Sequence, residues 1–241
     1  MQAAVLAASG VRKRFGALAV LDGVDIALDA GVAVGIVGPN GAGKTTLLNV
    51  LAGSLAPDAG TVEFRGRDVT AKGAAERCRL GIARTHQVPR PFTGMTVFEN
   101  VLVAVTAQGR RRGGEAYDMC LRVLDETALT QLANRRAESL GLLQRKRLEL
   151  ARALAAEPSV LLLDEIGGGL TDAESEALVF TISSLRDRGI AVLWIEHIVH
   201  VLLQVVSRLV CMDAGCIIAE GPPESVVSQA AVIDAYLGSG R

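Results

Sequence analysis

The stretch Gly38-Pro39-Asn40-Gly41-Ala42-Gly43-Lys44-Thr45 decides the fold, because it satisfies the pattern G-x(4)-G-K-[ST]. The apolar run 31–37 before it predicts a buried strand, and leucines spaced along residues 44–53 predict a helix. Glycines let successive backbone N–H groups point at a phosphate, and the helix N-terminus adds its positive dipole end. The predicted nucleotide-binding residues are Gly38, Pro39, Asn40, Gly41, Ala42, Gly43, Lys44, Thr45 and Thr46.

Two of these residues have sharper expected roles. The Lys44 ammonium is expected to reach the β- and γ-phosphates, and the Thr45 hydroxyl to ligate Mg²⁺. The chain has 25 basic residues, of which only four are lysines, so a lysine within a motif is less easily a coincidence.

A second buried strand ends in two acidic residues. Residues 160–163 are a continuous apolar run, and Asp164 and Glu165 follow directly. Ligands bind at the carboxyl ends of parallel strands, so both side chains are expected beside the phosphates. Asp164 is suited to the Mg²⁺ shell, and Glu165 to polarising the attacking water as general base. The alternative, two solvated acids opening a helix, is weakened by the phosphate loop upstream.

A third apolar run, residues 190–195, leads into Glu196 and His197. His197 could touch the γ-phosphate and sense its presence, but a lone histidine after a strand is usually structural. His200 completes an HxxH pattern with His197, yet no third metal ligand is in view.

Composition narrows the class of protein. The chain has 241 residues, half of them apolar, and a net charge of -1, which gives no support to nucleic-acid binding. Its four cysteines show no CxxC pattern, so we expect reduced thiols rather than a metal site or disulfides. No apolar run approaches the roughly 18 residues of a membrane span, and the N-terminus lacks the charge order of a signal peptide.

The order of elements predicts one α/β domain interrupted by a helical lobe. Short apolar runs suit central strands of a parallel sheet, while residues 61–64 and 209–219 are typical of hairpins. The middle of the chain is helical in pattern. We therefore expect a single domain over residues 1–241, with a core of about 1–88 and 155–241 and a helical lobe of about 89–154.

These motifs, in this order, resemble the ATP-binding cassette (ABC) family over essentially the whole chain. The resemblance implies a P-loop NTPase (RecA-like) core with an antiparallel β subdomain and an inserted α-helical lobe. It also implies that Phe15 stacks on adenine and that Gln87 contacts Mg²⁺ and links to a membrane subunit. His197 would be the switch histidine. Leu140, Gly141, Leu142, Leu143 and Gln144 fall where the family signature contacts the ATP of a partner cassette.

More narrowly, residues 81–87, 95–101 and 232–238 look like the ATP-binding subunits of branched-chain (hydrophobic) amino acid importers. That resemblance implies ATP and Mg²⁺, two membrane permeases, a second ATP-binding subunit, a periplasmic solute-binding protein and a place on the cytoplasmic face of the membrane. The implied cargo is a branched-chain amino acid or a related small hydrophobic or amide solute. Lipopolysaccharide-type exporters and soluble cassette ATPases remain the alternatives.

The signature departs from the family pattern Leu-Ser-Gly-Gly-Gln. Gly141 replaces the serine that bonds the partner's γ-phosphate, and Leu143 replaces the second glycine. Thr171 stands where the family usually has an aspartate that communicates across the dimer. What this chain gives to its partner's ATP is therefore expected to be weakened, which favours a heterodimer with unequal sites over a homodimer.

Overall fold

Two β-sheets organise the chain, and the computed structural model describes residues 4–238. The strands of this part are β1 Leu6–Phe15, β2 Leu18–Leu28, β3 Ala33–Val37, β4 Ala59–Phe64, β5 Arg67–Asp68, β6 Ile82–Arg84, β7 Val160–Asp164, β8 Ala191–Ile195, β9 Arg208–Asp213 and β10 Cys216–Gly221. The helices are α1 Lys44–Leu51, α2 Ala74–Leu80, α3 Val97–Ala107, α4 Gly114–Glu126, α5 Leu142–Leu154, α6 Asp172–Asp187, α7 Val199–Leu203, α8 Pro223–Val227 and α9 Ala230–Gly238.

The larger sheet has the order β10-β9-β3-β8-β7-β6. Strands β3, β7 and β8 are fully buried and parallel, as their continuous apolar runs predict. Gly35 lies opposite Trp194, and Asp164 lies opposite Ile195. Because these strands run in one direction, their last residues, Val37, Asp164 and Ile195, all lie at the same edge of the sheet.

The smaller sheet is antiparallel, with the order β2-β1-β4-β5. The hairpin expected around residue 61 takes a different form, since β4 begins at Ala59 and pairs with β1, while its hairpin partner is β5. The turn between β4 and β5 lies at Arg65 and Gly66, both with positive φ. The hairpin expected at residues 209–219 is present as β9 and β10.

Buried side chains form two hydrophobic clusters on opposite faces of the larger sheet. Val34, Ile36 and Leu193 face α1 and the antiparallel sheet. Val37 and Trp194, on alternate positions, share a cluster with residues of α3, α4, α5 and α6. The larger sheet is thus covered on both sides, which explains why its central strands contain no polar residue before Asp164.

The helical lobe begins with α3, whose first turn is fixed by a capping box between Thr96 and Glu99. Helices α3 and α4 pack on each other, and α5 contacts both of them as well as β6. The predicted fold class, an α/β core with an antiparallel subdomain and a helical lobe, is confirmed. The boundaries near residues 89 and 154 stay a prediction, because α5 belongs to the packing of both parts.

No helix within residues 4–238 has the length and apolar character needed to cross a membrane. All four cysteines are free thiols. Within the basic loop 110–112, Arg111 forms two hydrogen bonds with the Glu157 carboxylate.

Candidate active site

The phosphate loop connects the buried end of β3 to the first residue of α1. Gly43 precedes the helix with φ 99°, a left-handed conformation, and a Cβ there would lie 2.5 Å from the carbonyl oxygen of Val20. A side chain at this position is therefore excluded by both backbone geometry and space. Residues 40–46 line a cavity of about 180 Å³, and Val20 and Glu165 complete its wall. The structure thus brings Glu165 to the phosphate loop.

The Lys44 side chain folds back over the loop. It is 6% exposed, and its Nζ donates hydrogen bonds to the carbonyl oxygens of Gly38 and Pro39 at 2.7 and 2.9 Å. Burial lowers the pKa of the Lys44 ammonium, while the carboxylates of Glu165 and Asp164 oppose that shift. A phosphate group must therefore compete with two loop carbonyls for this ammonium.

Asp164 ends β7 almost completely buried. Its Oδ2 lies 3.5 Å from the Arg84 guanidinium, whereas its Oδ1 is buried with no hydrogen-bond partner. Burial raises the pKa of the Asp164 carboxyl, and Arg84 and the Thr45 hydroxyl oppose that rise. A buried carboxylate oxygen with an unused lone pair, beside a threonine hydroxyl, fits a hard cation such as Mg²⁺.

Glu165 occupies a strained backbone position with φ 48°, and its N–H donates to the carbonyl of Ile195 at 2.9 Å. Both carboxylate oxygens have partners. The His197 Nε2 lies 2.7 Å from Oε1, and the Gln87 amide donates to Oε2. Gln87, Glu165 and His197 follow the neighbouring strands β6, β7 and β8, so the sheet edge assembles three side chains from distant parts of the chain.

The structure thus brings the phosphate loop and a carboxylate that is bonded to a glutamine and a histidine to one cavity. Residues 21–167 match the family model described as ABC transporter. The chain belongs to the ABC transporter family. A second model, described as branched-chain amino acid ATP-binding cassette transporter, matches residues 216–241. The predicted family is therefore confirmed.

Curated relatives match this ABC subunit from end to end. The high-affinity branched-chain amino acid transport ATP-binding protein BraF of Pseudomonas aeruginosa is 35% identical, covering 99% of both chains. LivG of Salmonella typhimurium, named for the same transport, has the same identity and coverage. Among solved structures, the ADP conformation of MJ1267, an ATP-binding cassette of an ABC transporter, has a TM-score of 0.90 at 33% identity. It covers 98% of this chain, and the match spans 99% of MJ1267.

Behind Glu165, this ABC subunit contains a buried charged pair that the sequence analysis missed. Lys146 of α5 donates to the carbonyl of Glu165 at 3.4 Å, and its ammonium is close enough to Glu196 for each charge to stabilise the other. Glu196 Oε1 accepts hydrogen bonds from the Gly167 N–H at 2.5 Å and the Trp194 indole at 3.2 Å. Burial raises the pKa of Glu196 despite these bonds. The only sequence signal for this pair was the rarity of lysine, since the chain contains only four.

Phe15, the expected adenine platform, lies at the end of β1 with 52% of its surface exposed. The Lys13 ammonium sits 5.9 Å from the ring centroid. Phe15 does not line the phosphate-loop cavity, although Val20, on the paired strand β2, does. Its exposed face is available for stacking, and the adenine role stays a prediction.

The altered signature occupies the exposed N-terminus of α5. The helix begins at Leu142, and Gly141 precedes it with no side-chain cap. A Cβ at Gly141 would lie 2.7 Å from Oε1 of Gln144, which is the movable end of a side chain. Leu140 is buried, while Leu142 is 45% exposed and lies against Gly169 in the loop after Glu165. Leu143 and Gln144 are half-buried.

Thr171 has a local structural role in this ABC subunit. Its hydroxyl accepts a hydrogen bond from the Glu174 N–H, and the Glu174 side chain reaches back to the Thr171 N–H, forming a capping box at the start of α6. The residue that replaces the family's usual aspartate is therefore a helix cap.

A groove of about 400 Å³ lies between α2, α3, α5 and β6, and its lining includes His86, the residue before Gln87. Its walls are largely apolar and include Cys78. At one end, Glu149 lies 2.6 Å from His86 Nδ1 and 3.1 Å from the Arg152 guanidinium, which packs over the Phe92 ring. The groove thus reaches the segment that carries Gln87 without opening into the phosphate-loop cavity.

Proposed function

We propose that this chain is the ATP-binding and ATP-hydrolysing subunit of an importer of branched-chain amino acids or related small hydrophobic or amide solutes. The observation that carries the catalytic part is the Glu165 carboxylate, which Gln87 and His197 hold at the wall of the phosphate-loop cavity. The relatives named for branched-chain amino acid transport and the match of residues 216–241 support the cargo. They favour an importer over a lipopolysaccharide-type exporter or a soluble cassette ATPase.

In the proposed reaction, Lys44 moves its ammonium from the loop carbonyls to the β- and γ-phosphates. Glu165 accepts a hydrogen bond from the attacking water and draws its proton away. Gln87 and His197 fix the carboxylate and so orient the lone pair that faces the water. A positioned base of this kind contributes roughly 10²- to 10⁴-fold to the rate.

The residues also fit Mg²⁺. We assign the ion to the Asp164 carboxylate, the Thr45 hydroxyl and the Gln87 amide oxygen, on the strength of the unpartnered buried Oδ1 of Asp164. When bound, Mg²⁺ neutralises the charge that develops on the phosphates.

The signature supports an unequal pair of cassettes. At Leu140–Gln144 the chain offers its partner a helix N-terminus with no hydroxyl at Gly141 and an added side chain at Leu143. Its own loop, Glu165 and His197 have every side chain that the reaction requires. We therefore expect a heterodimer in which ATP on this chain, completed by a second subunit's signature, is hydrolysed faster.

The groove beside Gln87 is the proposed seat of one of two membrane permeases. It is concave and largely apolar, and Gln87 connects it to Glu165, so a helix seated there could transmit closure of the cassettes. We propose that the chain lies on the cytoplasmic face of the membrane, with a periplasmic solute-binding protein acting through the permeases.

The proposed cargo is tested by uptake in the source organism. When the chromosomal copy of the gene encodes Glu165→Gln, we expect uptake of radiolabelled leucine, isoleucine and valine through this system to fall at least 100-fold. Lysine uptake serves as control. Unchanged uptake of all three, with a weakened outer-membrane barrier instead, would support the exporter alternative.

The docking groove is tested by thiol labelling. Cys78 lines the groove, whereas Cys216 lies on β10 and does not line it, so Cys216 is an internal control. We expect the permeases to slow maleimide labelling of Cys78 at least tenfold and to leave Cys216 unchanged. Equal labelling of Cys78 in the free subunit and the assembled transporter would contradict the proposed seat.

A further inference from the structure

The C-terminal helix α9 reaches the phosphate loop from outside the predicted site. The Gly38 N–H donates a hydrogen bond to the hydroxyl of Tyr236 at 2.9 Å, across a separation of 198 residues. Tyr236 thus contacts the first residue of the nucleotide-binding motif. Tyr236 was not among the residues that the sequence predicted for the site.

Gly38 is held on several sides. Its φ of 144° lies in the region that favours glycine, and a Cβ there would lie 2.0 Å from the Met212 carbonyl oxygen. Its own carbonyl accepts from Lys44 Nζ at 2.7 Å. Because its N–H is bonded to Tyr236, Gly38 is not one of the residues whose N–H groups can turn to a phosphate.

The phenol ring of Tyr236 lines an apolar cavity of about 320 Å³. This cavity lies between the C-terminal helices and two other segments, the end of β3 and the start of α7. Val37, which lines it, directly precedes Gly38. Val199, also in its lining, follows His197 by two positions. Val227, Val232 and Ile233 of α8 and α9 complete the wall around Tyr236. The C-terminal helices therefore pack directly beneath the phosphate loop and the switch histidine.

We infer that Tyr236 is a positioning residue for ATP binding, and that its hydroxyl holds the Gly38 peptide while the phosphates draw Lys44 away. The Gly38 residue has two hydrogen bonds, one from Lys44 to its carbonyl and one to the Tyr236 hydroxyl. ATP removes the first and leaves the second. Without the phenol hydroxyl, the Gly38 peptide keeps neither of these hydrogen bonds once ATP is bound. The affinity for ATP therefore falls, while the chemistry at Glu165 is unchanged.

The test is Tyr236→Phe, which removes the hydroxyl and keeps the ring. A net hydrogen bond of this kind corresponds to roughly a 2- to 12-fold change in an equilibrium. We expect the KM and Kd for ATP of the full chain to rise by about that factor, with kcat at saturating ATP within twofold of wild type. Amide exchange at Gly38 should accelerate. Tyr117→Phe, at the chain's other tyrosine on α4, should change none of these values.

A packing variant separates the effect of losing the Tyr236 hydroxyl from the effect of a less stable fold. Val232→Ala enlarges the apolar cavity without touching the phenol oxygen, so the melting temperature should fall while the KM for ATP stays within twofold. The inference is overturned if Tyr236→Phe leaves KM and Gly38 exchange unchanged, or if it lowers kcat as strongly as it raises KM. It is equally overturned if Val232→Ala raises the KM as much as Tyr236→Phe does.

Discussion

His197 Nε2 lies 2.7 Å from Glu165 Oε1, and the two residues follow strands that are neighbours in the parallel sheet. The contact makes the histidine a direct partner of the expected general base. A sensor of the γ-phosphate at this position would therefore act on the base through a single hydrogen bond.

Replacing His197 by Ala should lower kcat roughly 100-fold, because the Glu165 carboxylate loses one of its two fixed partners and no longer points reliably at the water. The KM for ATP should change much less, since His197 does not line the phosphate loop. Steady-state ATPase kinetics measure both values. His200→Ala is the matched control, because His200 lies one turn further along, in α7, and should leave kcat within twofold.

Restoring the signature should change the activity of the chain alone. Gly141→Ser together with Leu143→Gly supplies the hydroxyl donor and removes the added side chain at the start of α5. The space at Gly141 is limited only by the movable end of Gln144. We expect the ATPase rate of the isolated chain to rise at least fivefold, and to vanish again when Glu165→Gln is added. An unchanged rate would mean that Leu143 is tolerated and that the unequal-pair hypothesis is wrong.

The buried pair Lys146 and Glu196 should behave as a coupled unit. Glu196→Gln keeps the acceptor for the Gly167 N–H but removes the larger of the two carboxylate charges, Glu196 and Glu165, that stabilise the Lys146 ammonium. This loss should cost about 3 kcal/mol in the free energy of unfolding. Adding Lys146→Met should recover most of that loss. Urea unfolding of the single and double variants completes the cycle, and strictly additive losses would show that the two side chains act independently.

Glu149 predicts a dependence of stability on pH. Burial would raise the pKa of this carboxyl, but hydrogen bonding with His86 and the Arg152 charge outweigh burial and hold the pKa below its usual value. A group with a lowered folded pKa contributes stability that is complete above its unfolded pKa and is lost as pH falls through the folded value. Between pH 5 and 3, wild type should lose more unfolding free energy than Glu149→Gln. Glu176→Gln, an exposed change on α6, should follow wild type.

The sequence predicted the parts of this molecule that depend on local pattern. Strands β3, β7 and β8 are continuous apolar runs, and the phosphate loop is set by glycines and Lys44, so both could be identified without knowing their neighbours. Their common direction then places Asp164 and Glu165 at one sheet edge.

Contacts between distant segments could not be predicted in this way. The bonds from Gln87 and His197 to one carboxylate depend on the strand order β8-β7-β6, which no local pattern encodes. Lys146 lies in α5 just after the altered signature, and no local pattern indicates its bond to the Glu165 carbonyl of its own chain. Tyr236 meets Gly38 only because α9 folds back across 198 residues.

The Lys44 ammonium makes nucleotide binding an exchange reaction. Two loop carbonyls hold it at 2.7 and 2.9 Å, so a ligand gains only the difference between its own contacts and those it replaces. A di- or triphosphate can compensate for both lost bonds, because it offers several anionic oxygens at once. A nucleoside monophosphate cannot reach as many. The phosphate loop is thus expected to discriminate between nucleotides by the length of their phosphate chain. AMP should be a poor competitor of ATP at any concentration found in the cell.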